Sequence, residues 1–298
     1  MNESKNVLDC PICKNQVKII ENSYQCVSCD AKFPIDSGIG ILVPSPSKHL
    51  AMIENKIEGI TGDWYSADQI KSYEKGPYYN HLQKRKKYIL EVLEKLYKKK
   101  KVENVLDLGC GDGSNLKWLS EFSQNLYGTD YNLLRLKRAK NMLDKLQINA
   151  KIFLTDIFSM PFSENSFDLI FFNHVIEHLK DDRLALEKIF HITNKGGHVI
   201  LGTPNEGVLS WKFAYFVEPN VKKKTDHVNF YTANSIKKIA EEAGFVVKHV
   251  EHIGWGIPIW RIDPHFRKHK IFDDLFEAIG KKLFHNQATS LYLILEKK

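Results

Sequence analysis

One stretch constrains the fold of this chain more than any other. It reads Val105-Leu-Asp-Leu-Gly-Cys-Gly-Asp-Gly-Ser-Asn115, so that β-favouring apolar residues run into three closely spaced glycines. Glycine is used where the backbone needs a positive φ or must let a ligand come close, and a helical pattern follows from Leu116 to about Phe122. The order of strand, tight turn and helix predicts a nucleotide-type site at the carboxyl end of a strand, where open α/β sheets bind ligands.

The spacing of these glycines excludes two common nucleotide motifs. It departs from the Gly-x-Gly-x-x-Gly of dinucleotide-binding domains and lacks the Gly-Lys-Ser/Thr ending of a phosphate-binding loop. The block Asp107–Gly113 instead resembles motif I of class I S-adenosylmethionine (SAM) methyltransferases, and the resemblance covers about the last two-thirds of the chain. It implies an α/β, Rossmann-like sheet of seven strands with the last one antiparallel. It also implies SAM as the cofactor, bound by residues of this motif: Asp107, Gly109, Cys110 and Gly111.

The second predicted strand, 125–130, ends in an acid that suits the same cofactor. Asp130 lies 21 residues after Gly109, which is the spacing at which a carboxylate after the second strand meets ribose hydroxyls. The alternative is that Asp130 caps the helix that follows, although Asn132 could serve equally well as the cap. We favour the ribose role, and we include Tyr131 among the cofactor-binding residues.

Further cofactor contacts are implied by the resemblance alone. The third strand, 151–156, ends in Asp156; the equivalent acid in similar methyltransferases accepts from the adenine amino group, and the next backbone N–H, that of Ile157, meets a ring nitrogen. Asn173 ends the fourth strand, 166–173, and would offer its backbone carbonyl to the cofactor's ammonium. In related enzymes an N-terminal segment folds over the cofactor as a lid, which nominates Tyr73 near the methionine carboxylate. The alternative for this aromatic segment is packing of helices onto the sheet.

The segment after the fourth strand, His174-Val-Ile-Glu-His178, also spells the inverted zinc-protease pattern. That pattern needs a long helix and a distant third ligand, whereas this segment leaves a central strand beside a nucleotide site. It resembles instead the Asn/Asp-x-x-x-Glu-His segment common after strand four of this methyltransferase family. Some quinone-precursor methyltransferases hold a divalent ion near the corresponding pair, so a metal role for Glu177 and His178 stays open beside local packing and helix capping.

Four cysteines near the N-terminus form a second pattern, with two Cys-x2-Cys pairs separated by a gap of twelve residues: Cys10, Cys13, Cys26 and Cys29. In a chain without secretion signals such paired thiols indicate Zn²⁺ rather than disulfides. Because the protein supplies all four ligands, the site is expected to be structural. The stretch 33–43 resembles the end of Trm112-like zinc domains and the zinc ribbon of bacterial 23S rRNA guanine methyltransferases. Gly40 departs from the Trm112-like pattern, which usually has proline there.

The predicted organisation is a zinc ribbon over residues 1–46, a helical lid or linker segment over 47–101 and a SAM-dependent methyltransferase domain over 102–298. The net charge of +7 arises largely in the segment 83–102, which holds nine Lys or Arg against two Glu. This run is either the solvated face of one helix or a surface for an anionic partner. No apolar run approaches the roughly 20 residues that span a bilayer, and the N-terminus lacks the apolar region of a signal peptide. We therefore expect a cytoplasmic protein with no membrane partner, and the oligomeric state stays open.

The acceptor side is less constrained. Residues 205–230 interrupt the α/β pattern with an aromatic segment, and we interpret them as a substrate wall, with a dimer contact or packing for the ribbon as alternatives. His227 is the best-placed base, because a histidine can take a hydroxyl proton near neutral pH; the alternative is a structural histidine held by Asp226 or a backbone carbonyl. The sequence predicts methyl transfer to an O or N atom of a small molecule such as a sugar, a quinone precursor or another metabolite. Methylation of an RNA base, with the ribbon gripping the nucleic acid, is the alternative.

Overall fold

The computed structural model describes residues 7–45, 75–98, 100–217, 227–257 and 262–298. In chain order its strands are β1 (Val17–Ile20), β2 (Ser23–Cys26), β3 (Lys32–Asp36), β4 (Ile39–Ile41), β5 (Val102–Leu108), β6 (Ser123–Asp130), β7 (Lys151–Leu154), β8 (Phe167–Asn173), β9 (Thr193–Pro204), β10 (Val246–Ile253) and β11 (Ser290–Glu296). Its helices are α1 (Tyr79–Tyr97), α2 (Leu116–Leu119), α3 (Leu133–Lys145), α4 (Asp182–Ile192), α5 (Leu209–Val217), α6 (Ala233–Glu242), α7 (Asp263–Arg267) and α8 (Lys270–Leu283).

Seven strands form the predicted Rossmann-like sheet, in the order β7-β6-β5-β8-β9-β11-β10. The first five are parallel, and β11 runs antiparallel to both β9 and β10. The order reverses between β5 and β8, because β6 lies on one side of β5 and β8 on the other. A crevice at such a switch point is where open α/β sheets bind ligands. The sheet therefore confirms the predicted fold class, and its order predicts a ligand site at the end of β5.

The sheet is buried on both faces, which explains the nearly continuous apolar sequence of its central strand. In β8, Ile170 and Phe172 join the core on one face, whereas Leu169 and Phe171 join the core on the other. Successive side chains of a strand point to opposite faces, and parallel sheets are covered by helices on both sides. Helix α1 covers the second face with the stripe expected from its periodicity: Ile89, Val92, Leu93 and Leu96.

The N-terminal ribbon is joined to this sheet by hydrogen bonds. Strands β1, β2 and β3 form an antiparallel ribbon, and β4 pairs antiparallel with β3 and parallel with β7. At this junction a Cβ on Gly40 would lie 2.7 Å from the Phe153 ring and 2.9 Å from the Tyr24 ring. Glycine at this position therefore lets two aromatic rings pack across the junction. The ribbon extends the methyltransferase sheet to eleven strands.

Several element boundaries differ from the sequence-based expectation, among them the start of β6 at Ser123 and the end of β7 at Leu154. The helix after the glycine stretch is the single turn α2 and ends at Leu119 instead of continuing to Phe122. The carbonyl of Phe122 accepts from the Val102 backbone N–H at 2.7 Å, so the chain leaves the helix early to reach the edge of β5. The sequence predicts the fifth strand over 198–204 after a turn at 194–197, whereas β9 begins at Thr193 and includes Gly196 (φ +73°).

Candidate active site

The glycine loop after β5 has the backbone geometry that the sequence predicts. Gly109, Gly111 and Gly113 all have positive φ, at +81°, +54° and +82°. A Cβ on Gly109 would lie 2.3 Å from a methyl group of Val175, and one on Gly111 would lie 2.1 Å from the guanidinium of Arg135. A side chain on Gly109 would clash with the branched Val175 side chain, and one on Gly111 would have a strained positive φ and would displace the Arg135 guanidinium. Arg135, on α3, was missed by the sequence reasoning and covers one side of the loop.

Asp130 and Asn132 divide the two roles that the sequence left open. The Asn132 side chain caps α3 by accepting from the Arg135 backbone N–H at 3.2 Å. Asp130 instead accepts from the backbone N–H of Gly111 at 2.8 Å and of Asn132 at 2.9 Å, one bond to each carboxylate oxygen. Each ionised carboxylate oxygen has a second lone pair. The carboxylate therefore braces the glycine loop and retains acceptor sites for a diol in the cleft.

The third and fourth strand ends also reach the cleft. Asp156 follows β7 and accepts from the Phe158 backbone N–H at 3.0 Å, capping the single turn Ile157–Ser159. Ile157, Tyr131 and Asn173 line the same cleft. The side-chain Oδ1 of Asn173 is buried and accepts no hydrogen bond within the described part of the chain, so it offers an orphaned acceptor at the end of β8.

The loop has three buried titratable groups: Asp107, Cys110 and Asp112, of which Asp112 pairs with Arg135 at 3.5 Å. Burial, and to a lesser extent the nearby Asp130 charge, raise the pKa of Asp107 well above its usual value. The Oδ2 atom of Asp107 accepts no hydrogen bond from the described residues. Asp107 lies behind the loop, not on the cleft wall, whereas Cys110 lines the cleft. Burial also raises the pKa of the Cys110 thiol, which keeps it protonated and agrees with a purely structural part in the loop.

These elements enclose a cleft of about 1510 Å³. Typical ligand pockets occupy roughly 300–1,000 Å³, so this cleft has room for two ligands side by side. One wall is formed by the glycine loop and the strand-end acids. The opposite wall includes Tyr78, His81 and Arg85 at the start of α1. Tyr73, the residue nominated for the lid, lies outside the described residues.

A buried ionic network occupies the floor of the cleft beyond β8. Arg85 Nη1 lies 3.0 Å from His174 Nε2, and His174 Nδ1 lies 3.1 Å from Glu177 Oε1. A guanidinium only donates, so Nε2 accepts and Nδ1–H donates to the carboxylate. Burial alone would raise the pKa of Glu177, but the hydrogen bond from His174 and the neighbouring histidines hold it below its usual value. Burial lowers the pKa of His174, so the pair is a neutral imidazole on a carboxylate.

His227 lies beside this network and has a partner that the sequence reasoning missed. The Glu177 carbonyl accepts from the backbone N–H groups of Val228 and Asn229, at 2.9 and 3.1 Å. These bonds hold the segment so that His227 faces the cleft, 12% exposed, with Nδ1 3.2 Å from Oε1 of Glu206. The other oxygen of Glu206 accepts from the Tyr215 hydroxyl at 2.6 Å. Glu206 is therefore a partner of His227 that the sequence did not indicate, and Asp226, the partner named in the structural alternative, lies outside the described residues.

Two groups of side chains within the described residues have the composition of metal sites. The four predicted cysteines have sulfur atoms within 4.8 Å of one another, with Cys10–Cys29 at 3.8 Å and Cys13–Cys26 at 3.4 Å. A tetrahedral Zn²⁺ with bonds of about 2.3 Å requires sulfur separations of about 3.8 Å, so the cluster fits zinc. Glu177, His178 and His227 also bring one ligand atom each within 4.8 Å of one another, on the cleft floor.

The sheet order, the glycine loop after its first core strand and the acid at the end of the second define a class I SAM-dependent methyltransferase domain. The sequence model of the methyltransferase domain family matches residues 79–250, more than half of the chain. The chain belongs to this family.

Individual relatives agree with that assignment. An uncharacterised protein of Methanocaldococcus jannaschii is 26% identical over 212 residues, which cover 70% of this chain and 85% of that protein. The phosphoethanolamine N-methyltransferase 2 of Caenorhabditis elegans is 26% identical over 51% of this chain and 38% of its own length. The chloroplastic tocopherol O-methyltransferase of Arabidopsis thaliana is 28% identical over 35% and 31%. The chain thus spans less than half the length of several curated relatives that it matches.

Solved structures show the same fold. A chain of the complex between the Haloferax volcanii Trm112 methyltransferase activator and its methyltransferase superposes with a TM-score of 0.56 at 16% identity, covering 78% of this chain and 95% of that one. A methyltransferase structure from Bacillus halodurans gives a TM-score of 0.53 at 16% identity, covering 70% and 98%. At these identities the likeness establishes the architecture.

Proposed function

We propose that this protein transfers a methyl group from SAM to an O or N atom of a small-molecule acceptor, with His227 as the general base. The observation that supports this proposal most directly is that His227, paired with Glu206, lines the same cleft as the glycine loop and the strand-end acids. Named relatives that modify tocopherol and phosphoethanolamine support an acceptor of this size.

The residues on the cofactor side fit SAM. The glycine loop lets a ligand come close to the backbone. Asp130 offers acceptors for a ribose diol, and the Asp156 carboxylate with the Ile157 backbone N–H would bind the adenine edge. The Asn173 backbone carbonyl would face the ammonium group of the cofactor, and the orphaned side-chain Oδ1 of the same residue offers a further acceptor at the end of β8. When bound, SAM supplies a methyl group on a sulfonium, which is a good leaving group. The chain's task is to hold the acceptor in line and to exclude water.

Glu206 and Tyr215 prepare His227 for proton transfer. With Nδ1–H donated to the Glu206 carboxylate, the lone pair of the ring is on Nε2. Nε2 can take a proton from an acceptor hydroxyl as its oxygen attacks the methyl group, or from an acceptor ammonium before the freed amine attacks. The imidazolium that forms is stabilised by the buried carboxylate, which remains hydrogen-bonded to the Tyr215 hydroxyl. General bases of this kind contribute about 10²–10⁴-fold to a rate.

The zinc ribbon, in this proposal, braces the adenine side of the cleft. It contacts the chain on both sides of Asp156: Ile41 pairs with Leu154 in β7, and the Asp9 backbone N–H donates to the Pro161 carbonyl at 2.9 Å. Because metal binding and folding are coupled in such small units, zinc would stabilise the segment that reads the base. This role takes the ribbon as an integral edge of the methyltransferase sheet.

The basic segment that favoured RNA has internal uses. Lys84 pairs with the buried carboxylate of Asp273 at 2.5 Å, and Arg85 is committed to His174 on the cleft floor. These two cations are not part of a solvated face that phosphates could reach. Two of the nine cations of this segment are therefore used within the protein, which weakens the charge argument for the RNA alternative.

The test is transfer of isotopically labelled methyl from SAM into a cell extract that has been separated into metabolite and RNA fractions. We expect label in the metabolite fraction with the wild-type protein and a strong loss with His227→Ala, whose SAM affinity is retained. Label confined to RNA would refute the small-molecule proposal. Equal labelling by the wild-type protein and His227→Ala would refute the base assignment.

A further inference from the structure

Helix α5 presents an apolar face to solvent. Its exposed side chains follow helical spacing and lie on one face of the helix: Leu209, Phe213, Phe216 and Val217. Leu209 is 65% exposed and Phe216 is 84% exposed. On the other side Trp211 stacks on Tyr215, with ring centroids 5.5 Å apart. A helix that is apolar on both sides is normally enclosed by protein or by lipid, and here one side is not covered by any of the residues that the structure describes.

Helix α8 has the same inverted character. Its inner side carries Asp273 and Gly280, which are buried. Its outer side carries apolar residues at every fourth position: Ile271, Leu275, Ile279 and Leu283. Ile271 is 80% exposed and Leu283 is 65% exposed. A surface helix of a soluble domain carries charged residues on its outward side, so this stripe marks an interaction surface.

The two apolar faces border the same cleft. The Leu209 backbone N–H at the start of α5 donates to Oε1 of Gln287, just beyond α8, at 2.7 Å. Leu209, Ile279 and Phe284 all line the cleft as well as being exposed. A surface that covers both helices would therefore also cover the mouth of the active site.

Basic residues stand at both ends of the α8 stripe: Lys268 and Lys270 before it, and Lys281 and Lys282 at its end, with Lys212 on α5. The partly exposed acids of the same helix are neutralised within the protein, since Asp274 pairs with Lys84 and Lys270, and Glu277 pairs with Lys281 at 2.9 Å. Apolar side chains framed by lysines match a bilayer interface that presents acyl chains beneath anionic headgroups. We propose that the outward faces of α5 and α8 dock this protein on an anionic phospholipid surface, with the cleft mouth facing the lipid.

This inference revises the expectation of no membrane partner that the sequence suggested. No helix among the described residues is long and apolar enough to cross a bilayer, and the docking proposed here requires none, because α5 and α8 would lie along the interface. The docking does not depend on the methyl acceptor or on His227. If the proposed reaction fails its test, the docking proposal still stands, and if the docking fails its test, the proposed reaction still stands.

The test is co-sedimentation of the full chain with vesicles of phosphatidylcholine alone and of phosphatidylcholine with phosphatidylglycerol. We expect binding to the anionic vesicles, weaker binding as salt rises, and at least a tenfold loss of bound protein for the double variant Ile271→Glu/Leu275→Glu. The matched control is Ile19→Glu, a similarly exposed isoleucine on β1 of the ribbon, which should bind as the wild type does. Thermal melting confirms that each variant is folded.

Three outcomes would overturn the proposal. The first is the absence of sedimentation with anionic vesicles at any lipid concentration. The second is equal loss of binding in the α8 double variant and the Ile19→Glu control. The third is a wild-type protein that self-associates in sedimentation velocity and does not bind vesicles, while the α8 variant is a monomer and the Ile19→Glu control still self-associates. That result would assign the face to a second copy of the chain.

Discussion

Replacement of Glu206 by glutamine tests the reasoning about the base most specifically. Glutamine keeps the size of the side chain and can still accept from Nδ1–H of His227, but it removes the charge that stabilises the imidazolium. Hydrogen bonds to charged groups contribute about 1.5–3 kcal/mol. The pair is mostly shielded, with side chains 12% and 5% exposed, but its separation of 3.2 Å is long. We therefore expect the substitution to raise the activation free energy by about 2 kcal/mol, which corresponds to a ~30-fold lower kcat.

The assay is the initial rate of methyl transfer against pH, together with SAM affinity by calorimetry. In Glu206→Gln we expect the lower rate across the pH range, because the imidazolium that forms in the reaction loses its carboxylate partner, while SAM affinity is unchanged. The chain offers a matched control in Glu251→Gln, which removes the charge from a partly exposed pair with His249 at 3.0 Å and should leave kcat as it is. A Glu206→Gln enzyme with the wild-type rate and pH profile would refute the role given to this pair.

Three further changes have expected outcomes. Asp107→Asn removes a carboxylate whose pKa is raised by burial, so the unfolded state of the variant no longer gains stability from ionisation of this group above about pH 4. We therefore expect a higher melting temperature at pH 7 but weaker SAM binding. A lower melting temperature would contradict this expectation. Cys13→Ser should reduce zinc per chain in elemental analysis and destabilise the N-terminal strands, whereas Cys110→Ala should retain full zinc; equal zinc in both would exclude the cysteine site. Gly109→Ala should abolish SAM binding, whereas Gly196→Ala, at a similar φ of +73° but with nothing within 4 Å of its Cβ, should lose only stability, roughly 1 kcal/mol.

Local features of the sequence, with the family resemblance that they carry, were sufficient to predict the fold, and most of the residues nominated for the cofactor line one cleft. Positive φ at three glycines, an acid at the end of β6 and another just after β7 are properties of short segments, and the parallel sheet brings their ends to one edge. The same reasoning located the four cysteines, because their spacing defines two metal-binding turns. In each case the neighbours in space are also close in sequence or are joined by the regular order of the strands.

The acceptor side could not be predicted in this way. Glu206 and His227 are 21 residues apart, with helix α5 between them, and no periodicity marks a carboxylate as the partner of a distant imidazole. Arg85 meets His174 across 89 residues, so its charge was counted with a solvated helix face instead of the cleft floor. The attachment of the ribbon to β7 was missed because the exposed edge of a parallel sheet has no sequence signal that selects its partner.

The most direct test of the central claim is a calorimetric titration of the wild-type protein and Asp130→Ala with SAM. The account predicts that the wild type binds SAM and that Asp130→Ala binds it with an affinity lower by about 1.5–3 kcal/mol, the cost of losing hydrogen bonds to a charged group, which is roughly 10- to 150-fold. Absence of SAM binding by the wild-type protein, or an unchanged affinity in Asp130→Ala, would contradict the assignment of this cleft as the cofactor site.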